Sequence, residues 1–147
     1  MFQEIQPRVA TLTADGTRTL WLTGHSLGGA LATLCAQMFN EVQGVYVFGS
    51  PRVGDTAFAA AYARPLWRFC NDGDVVVTVP LNGVPLLPFL PSFLPKYEHA
   101  GKSVWFDAAQ SPSHRDSPYM LLTTLLPQSA LDHAPVAYSV LTWNQIP

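Results

Sequence analysis

The chain has 147 residues, enough for one domain with a real core, and its 48% hydrophobic content argues against disorder. A formal charge of -2 and sparse lysines give no basic patch, which leaves nucleic-acid binding without electrostatic support and favours a neutral or apolar partner. The start Met1-Phe2-Gln3-Glu4 lacks a basic region followed by an apolar stretch, and no run approaches a membrane span. A soluble protein with no visible signal peptide is therefore expected, in a compartment the sequence does not assign.

In chain order, Phe2, Ile5, Val9 and Leu12 stand at helical spacing before Ala14-Asp15-Gly16, which predicts an opening helix weakened by Pro7 in its first turns. Leu20, Trp21 and Leu22 form the continuous apolar run of a strand covered on both faces. Leu27, Ala30, Leu31, Leu34, Cys35 and Met38 then recur at i, i+3, i+4, i+7, i+8 and i+11, the apolar stripe of a helix. Val45-Tyr46-Val47-Phe48 is a second strand closed by Gly49-Ser50-Pro51, followed by a short helix over 56–63. Further strands are predicted at 66–70 and 103–106, with a closing helix over 132–143 that tolerates Pro135 in its first turn. Helices alternating with apolar strands imply an α/β fold, a mostly parallel sheet flanked by helices, in one domain spanning 1–147. Active-site loops leave the C-terminal ends of such strands. Cys35 on the helix stripe and Cys70 in a strand read as buried thiols.

The segment 79–97 is both Pro-rich and strongly apolar, with Pro80, Pro85, Pro88, Pro91 and Pro95 among leucines and phenylalanines. Prolines at this density rule out a regular helix or central strand. Two readings stand: a loop packed over the core, or an exposed apolar flap that meets a lipid interface or shapes an acyl pocket.

The chemistry begins between the first strand and the second helix, at Thr23-Gly24-His25-Ser26-Leu27-Gly28-Gly29. A serine hydroxyl is a weak nucleophile until a neighbouring base takes its proton, and it must project from the protein to reach a carbonyl. A sharp strand-to-helix turn projects it, straining the backbone and crowding its neighbours, so Gly24 and Gly28 are expected to be small for steric reasons. Leu27 supplies a backbone N–H beside the nucleophile, and the helix N-terminus adds partial positive charge for an oxyanion.

Such a serine needs a histidine, and the histidine needs a carboxylate that fixes its tautomer, in the chain order Ser, Asp, His. His25 is too close along the chain to reach back to its neighbour's hydroxyl. His99 reads as a structural hydrogen-bonding residue, and His114, in the polar stretch 110–116, as solvated. His133, where a loop meets the closing helix, is the best base. For the acid, Asp74 is preferred, because Val75-Val76-Val77 can bury it, whereas Asp72 has a ready role in the turn Asn71-Asp72-Gly73. Asp132 abuts His133 and reads as the helix cap. No cofactor or metal is implied, since the histidines and acids lack ligand spacing.

With these residues in place the chain resembles the class 3 lipases, the family of fungal triacylglycerol lipases with the α/β-hydrolase fold. The resemblance rests on Gly24-His25-Ser26-Leu27-Gly28-Gly29-Ala30, on Phe48-Gly49-Ser50-Pro51-Arg52-Val53-Gly54-Asp55, and on Arg68 with Asp74-Val75-Val76. It continues through Tyr97-Glu98-His99-Ala100-Gly101 and Val104-Trp105-Phe106 to Asp132-His133 with Tyr138. It implies Ser26 as nucleophile, Asp74 as acid, His133 as base, and lipid or small-ester substrates. The family's N-terminal strands, its lid helix and the Arg-Gly-Thr-like loop that gives the second oxyanion donor have no counterpart in the sequence. The resemblance implies that they would precede Met1, so the fold is expected to be N-terminally truncated. The strand that pairs with the elbow strand would be among them, so 20–23 is expected to present an unpaired apolar edge, a route to homo-oligomers. Two functions follow from these readings: a lipase or esterase, and a noncatalytic or weakly active remnant that folds with a partner. Acyl transfer to an alcohol by the same triad is a lesser third.

Overall fold

The computed structural model describes residues 2–80, 96–106 and 128–143. Helix α1 (Phe2–Thr13) leads into β1 (Leu20–His25), α2 (Leu27–Cys35), β2 (Val42–Phe48), the short β3 (Gly54–Asp55) and α3 (Thr56–Ala61). Strand β4 (Leu66–Asn71), the short β5 (Tyr97–Glu98) and β6 (Lys102–Phe106) follow, and α4 (Gln128–Asp132) and α5 (Pro135–Trp143) close the chain. Strands β1, β2, β4 and β6 form a parallel sheet in that order. Strands β3 and β5 make a separate antiparallel pair. Among the described residues β1 pairs only with β2, leaving one edge of the sheet open.

One face of the sheet is closed by α2, and the contact is made by small residues. Ala32, Cys35 and Ala36 join Val45, Val47, Leu66 and Phe39 in the main buried cluster, with Phe2 and Val9 of α1 against it. The stripe expected from the sequence is half right: Ala30 and Cys35 are buried and Leu31 is half-buried, but Leu27 is 68% exposed, Met38 45% and Leu34 38%. Both faces of this helix are apolar, so periodicity cannot choose between them, and close approach to the sheet chooses the smaller side chains. A Cβ on Gly29 would lie 2.9 Å from Ser50 Cβ. Both Cys35 and Cys70 are buried free thiols, as the sequence suggests.

The opposite face carries an aromatic row. Trp21, Tyr46 and Trp67 lie side by side across β1, β2 and β4, with ring centroids 5.8 and 5.0 Å apart. Phe48, Phe69 and Phe106 form a second row toward the C-terminal ends of the strands, and Tyr138 and Leu141 of α5 pack on it. Trp21, at the far end, stays 51% exposed.

The closing helix is not one element. Residues 133 and 134 separate α4 from α5, which begins at Pro135 itself. Proline has no N–H to donate and pushes the residue before it out of the helical region, so the helix restarts there. Asp132, expected as the cap, is instead the buried last residue of α4 and accepts from Gln128 Nε2 at 3.0 Å. The polar stretch with His114 and residues 81–95 of the apolar segment lie outside the described residues.

Candidate active site

Ser26 stands between β1 and α2 with φ 56° and ψ -128°, a conformation that costs a non-glycine residue about 1–3 kcal/mol. Its N–H continues the ladder to Phe48 O at 2.9 Å, while its carbonyl accepts from Gly29 N and Ala30 N to start the helix. The crowding expected at the flanking glycines is real at Gly24, where a Cβ would fall 2.3 Å from Gly28 O. At Gly28 it is absent: a Cβ there meets nothing within 4 Å. The close approach uses Gly28's backbone, and its α-carbon faces open space. Leu27 follows Ser26 in the first turn of α2, where backbone N–H groups have no intrahelical acceptor.

His133 lies in the break between α4 and α5. Its Nε2 is 2.8 Å from Ser26 Oγ, and its Nδ1 is 2.8 Å from Asp74 Oδ2. A carboxylate only accepts, so Nδ1 carries the proton and Nε2 is left to accept from the hydroxyl.

Asp74 is 1% exposed, while Asp72 is exposed in the preceding turn. Its carboxylate is enclosed by Gly49, His133 and Tyr138, and the residues after it form a one-turn helix (Val75–Thr78) that Asp74 caps by accepting from Val76 N at 2.8 Å; the valines expected to bury it leave Val75 itself 52% exposed. The segment is fixed from behind: Arg52 donates to Thr78 O and Pro80 O, and His99 Nε2 donates to Val77 O at 2.7 Å. Burial, helped by Arg68, pushes His99 down to about 4, so it is neutral and structural, in line with the sequence reading.

Four residues around this group were not given a role from the sequence. Tyr138 O–H donates to Asp74 Oδ2 at 2.7 Å and accepts from Asn71 N at 3.0 Å, and burial followed by the adjacent Asp74 pushes its phenol upward, keeping it a neutral donor. Gly49, at φ 56°, runs beside the Asp74–His133 bond, and a Cβ there would lie 2.8 Å from Asp74 Oδ2 and 3.2 Å from His133 Nδ1. Asn71 Nδ2 donates to Asp132 O at 3.0 Å, tying the end of α4 to β4. His25 Nε2 lies 2.6 Å from the carbonyl of His133. The Gly49-Ser50-Pro51 turn and the i, i+5 placement of Tyr138 after His133 were visible in the sequence, but nothing local assigned them to Asp74.

A cavity of about 400 Å³ opens beside His25, Phe48 and Tyr138 and does not reach Ser26. Among the described residues no cluster of His, Cys, Asp or Glu could hold a metal ion, and no helix is long and apolar enough to cross a membrane.

The model of the family described as Lipase (class 3) matches residues 1–84. A lipase from Rhizomucor miehei is 37% identical in a 95-residue alignment that covers 57% of this chain and 23% of that protein. In three dimensions the chain is similar to the lipase from Rhizopus microsporus var. chinensis, with a TM-score of 0.56 and 30% identity over 71% of this chain and 37% of that one. It is also similar to a triacylglycerol lipase whose catalytic centre is a serine protease triad, with a TM-score of 0.54 and 29% identity over 71% of this chain and 41% of that one. The chain spans about a quarter of the length of the curated relative it matches and less than half of either solved chain.

Proposed function

The chain belongs to the class 3 lipase family, and from that membership and the contacts at its elbow we propose that it is a serine carboxylic ester hydrolase acting on acylglycerols or similar lipid esters. The observation that carries the proposal is the unbroken line Asp74–His133–Ser26, with both links at 2.8 Å.

In this mechanism His133 Nε2 takes the Ser26 proton as Oγ attacks the ester carbonyl. Asp74 holds Nδ1–H and stabilises the imidazolium that results. The Leu27 N–H and the N-terminus of α2 meet the negative charge forming on the carbonyl oxygen; a donor in such a position is worth about 10²–10³ in rate. His133 returns the proton to the leaving alcohol, and Ser26 keeps the acyl group. Water, deprotonated by His133, then attacks the acyl-enzyme and releases the acid. Incubation with short and long p-nitrophenyl esters should give a burst or turnover that disappears in Ser26→Ala; equal rates in the two proteins contradict the proposal.

A second reading, a noncatalytic or weakly active hydrolase unit that folds with a partner, is favoured by the edge of β1, which pairs with no further strand among the described residues, and by the exposed Trp21. It expects sedimentation at a size above a monomer, either as a homo-oligomer through that edge or with another chain. A clean monomer at high concentration counts against it.

A further inference from the structure

We propose that His25 is a positioning residue for His133, donating a hydrogen bond from its ring to the backbone of the base and so fixing the base to the strand that carries the nucleophile. The inference rests on the reading of Ser26 and His133 as nucleophile and base.

His25 Nε2 is 2.6 Å from His133 O, and a carbonyl can only accept, so Nε2 carries the hydrogen. The two rings lie against each other with centroids 4.6 Å apart and planes tilted by 35°. This contact spans 108 positions of sequence, from the last residue of β1 to the break between α4 and α5.

The break explains why the contact is needed. In a continuous helix the carbonyl of residue 133 would accept from the N–H of residue 137. Here Ala137 N donates to Ala134 O, Ala134 N donates to Leu131 O, and Pro135 has no N–H at all. His25 supplies the partner that the interrupted helix withholds.

The contact also differs in kind from the other links to the base. The Oγ–Nε2 hydrogen bond is remade at each proton transfer, so it cannot be what fixes the ring. The bond to Asp74 constrains Nδ1 alone. A second tie on the backbone of His133 removes the remaining freedom of the residue to slide along the break. Misplacement of a reacting group by an ångström can cost on the order of 10² in rate, so a tie of this kind has a measurable effect.

Charge is compatible with this role. The ionisable groups facing His25 are His133 in the break, Tyr138 on α5, whose ring meets His25 edge-on at 5.7 Å, and Asp74 at the end of β4. Burial first, and then the neighbouring His133, depress the basicity of His25 against the opposing pull of its own hydrogen bond and of Asp74. A neutral ring donates to the carbonyl without placing a cation beside the imidazolium that His133 becomes.

Three variants separate hydrogen bonding from space filling. His25→Phe keeps a ring and loses the donor; His25→Gln restores an N–H near the position of Nε2; His25→Asn carries an N–H too short to reach. The first readout is the ¹⁵N–¹H signal of the His133 Nδ1 proton, which needs no turnover. It should be sharp in the parent and in His25→Gln, and broadened by solvent exchange in His25→Phe and His25→Asn. The second is the rate at which a fluorophosphonate labels Ser26 across pH. It should fall roughly tenfold to a hundredfold in His25→Phe and His25→Asn and recover to within about threefold in His25→Gln. An unchanged Nδ1 proton in His25→Phe overturns the inference, as does labelling of His25→Gln no faster than His25→Phe. If the parent itself is not labelled at Ser26 while the Nδ1 signal still responds as expected, the nucleophile reading fails and the positioning tie stands.

Discussion

Ser26 and His133, the proposed nucleophile and base, reach the same point by different physical means. Ser26 is placed by exclusion: its strained backbone is held where Gly24 meets the carbonyl of Gly28 and where Gly29 meets Ser50, against a face of small, fully packed residues. His133 sits on an interrupted helix over the aromatic face, and its ties are hydrogen bonds. Those ties run to Asp74, to His25 and, through Asp132, to Asn71. The lesson is that damage to the first arm should appear as lost stability, and damage to the second as lost chemistry in a folded protein.

The largest expected effect is on the second arm. Asp74→Asn keeps an oxygen able to accept from Tyr138 or Val76 but no longer fixes the His133 tautomer, and ester turnover should drop about 10⁴-fold. The thermal midpoint should move little; unfolding of this variant would break the comparison. On the first arm, Gly24→Ala drives a Cβ into backbone and should cost about 3 kcal/mol in urea unfolding. Gly28→Ala is the control that sharpens it. Its Cβ enters open space on a helix, so stability should be unchanged or rise by up to about 1 kcal/mol.

The smallest effect concerns the support behind Asp74. His99 is pushed down to about 4 when folded, so between roughly its ordinary value of 6.5 and 4 the unfolded chain binds more protons. Stability is therefore full above pH 6.5 and declines as pH falls through that window. His99→Gln should flatten this part of the stability profile, and a slope identical to the parent would remove His99 as its source.

The sequence made the elbow and its partners legible because each carries a local or ordered constraint. Glycines flank a serine between two apolar runs, Asp74 precedes three valines at the end of a strand, and His133 comes after both. The parallel sheet was legible for the same reason, since short apolar runs alternate with helical stripes. What escaped depends on apposition across space. Which apolar face of α2 meets the sheet is set by how closely Gly29 can approach Ser50, and the break at His133 by Pro135 acting on residues before it. The contacts of His25 and Gly49 exist only once β1, β2 and the break before α5 converge.

The most direct test of Ser26 as nucleophile is to treat the protein with a fluorophosphonate and locate the adduct by peptide mass spectrometry. A single adduct on Ser26 is expected, lost in Ser26→Ala and slowed about as much as ester turnover in Asp74→Asn. An adduct elsewhere, or labelling of Ser26 at the same rate in Asp74→Asn, would contradict it.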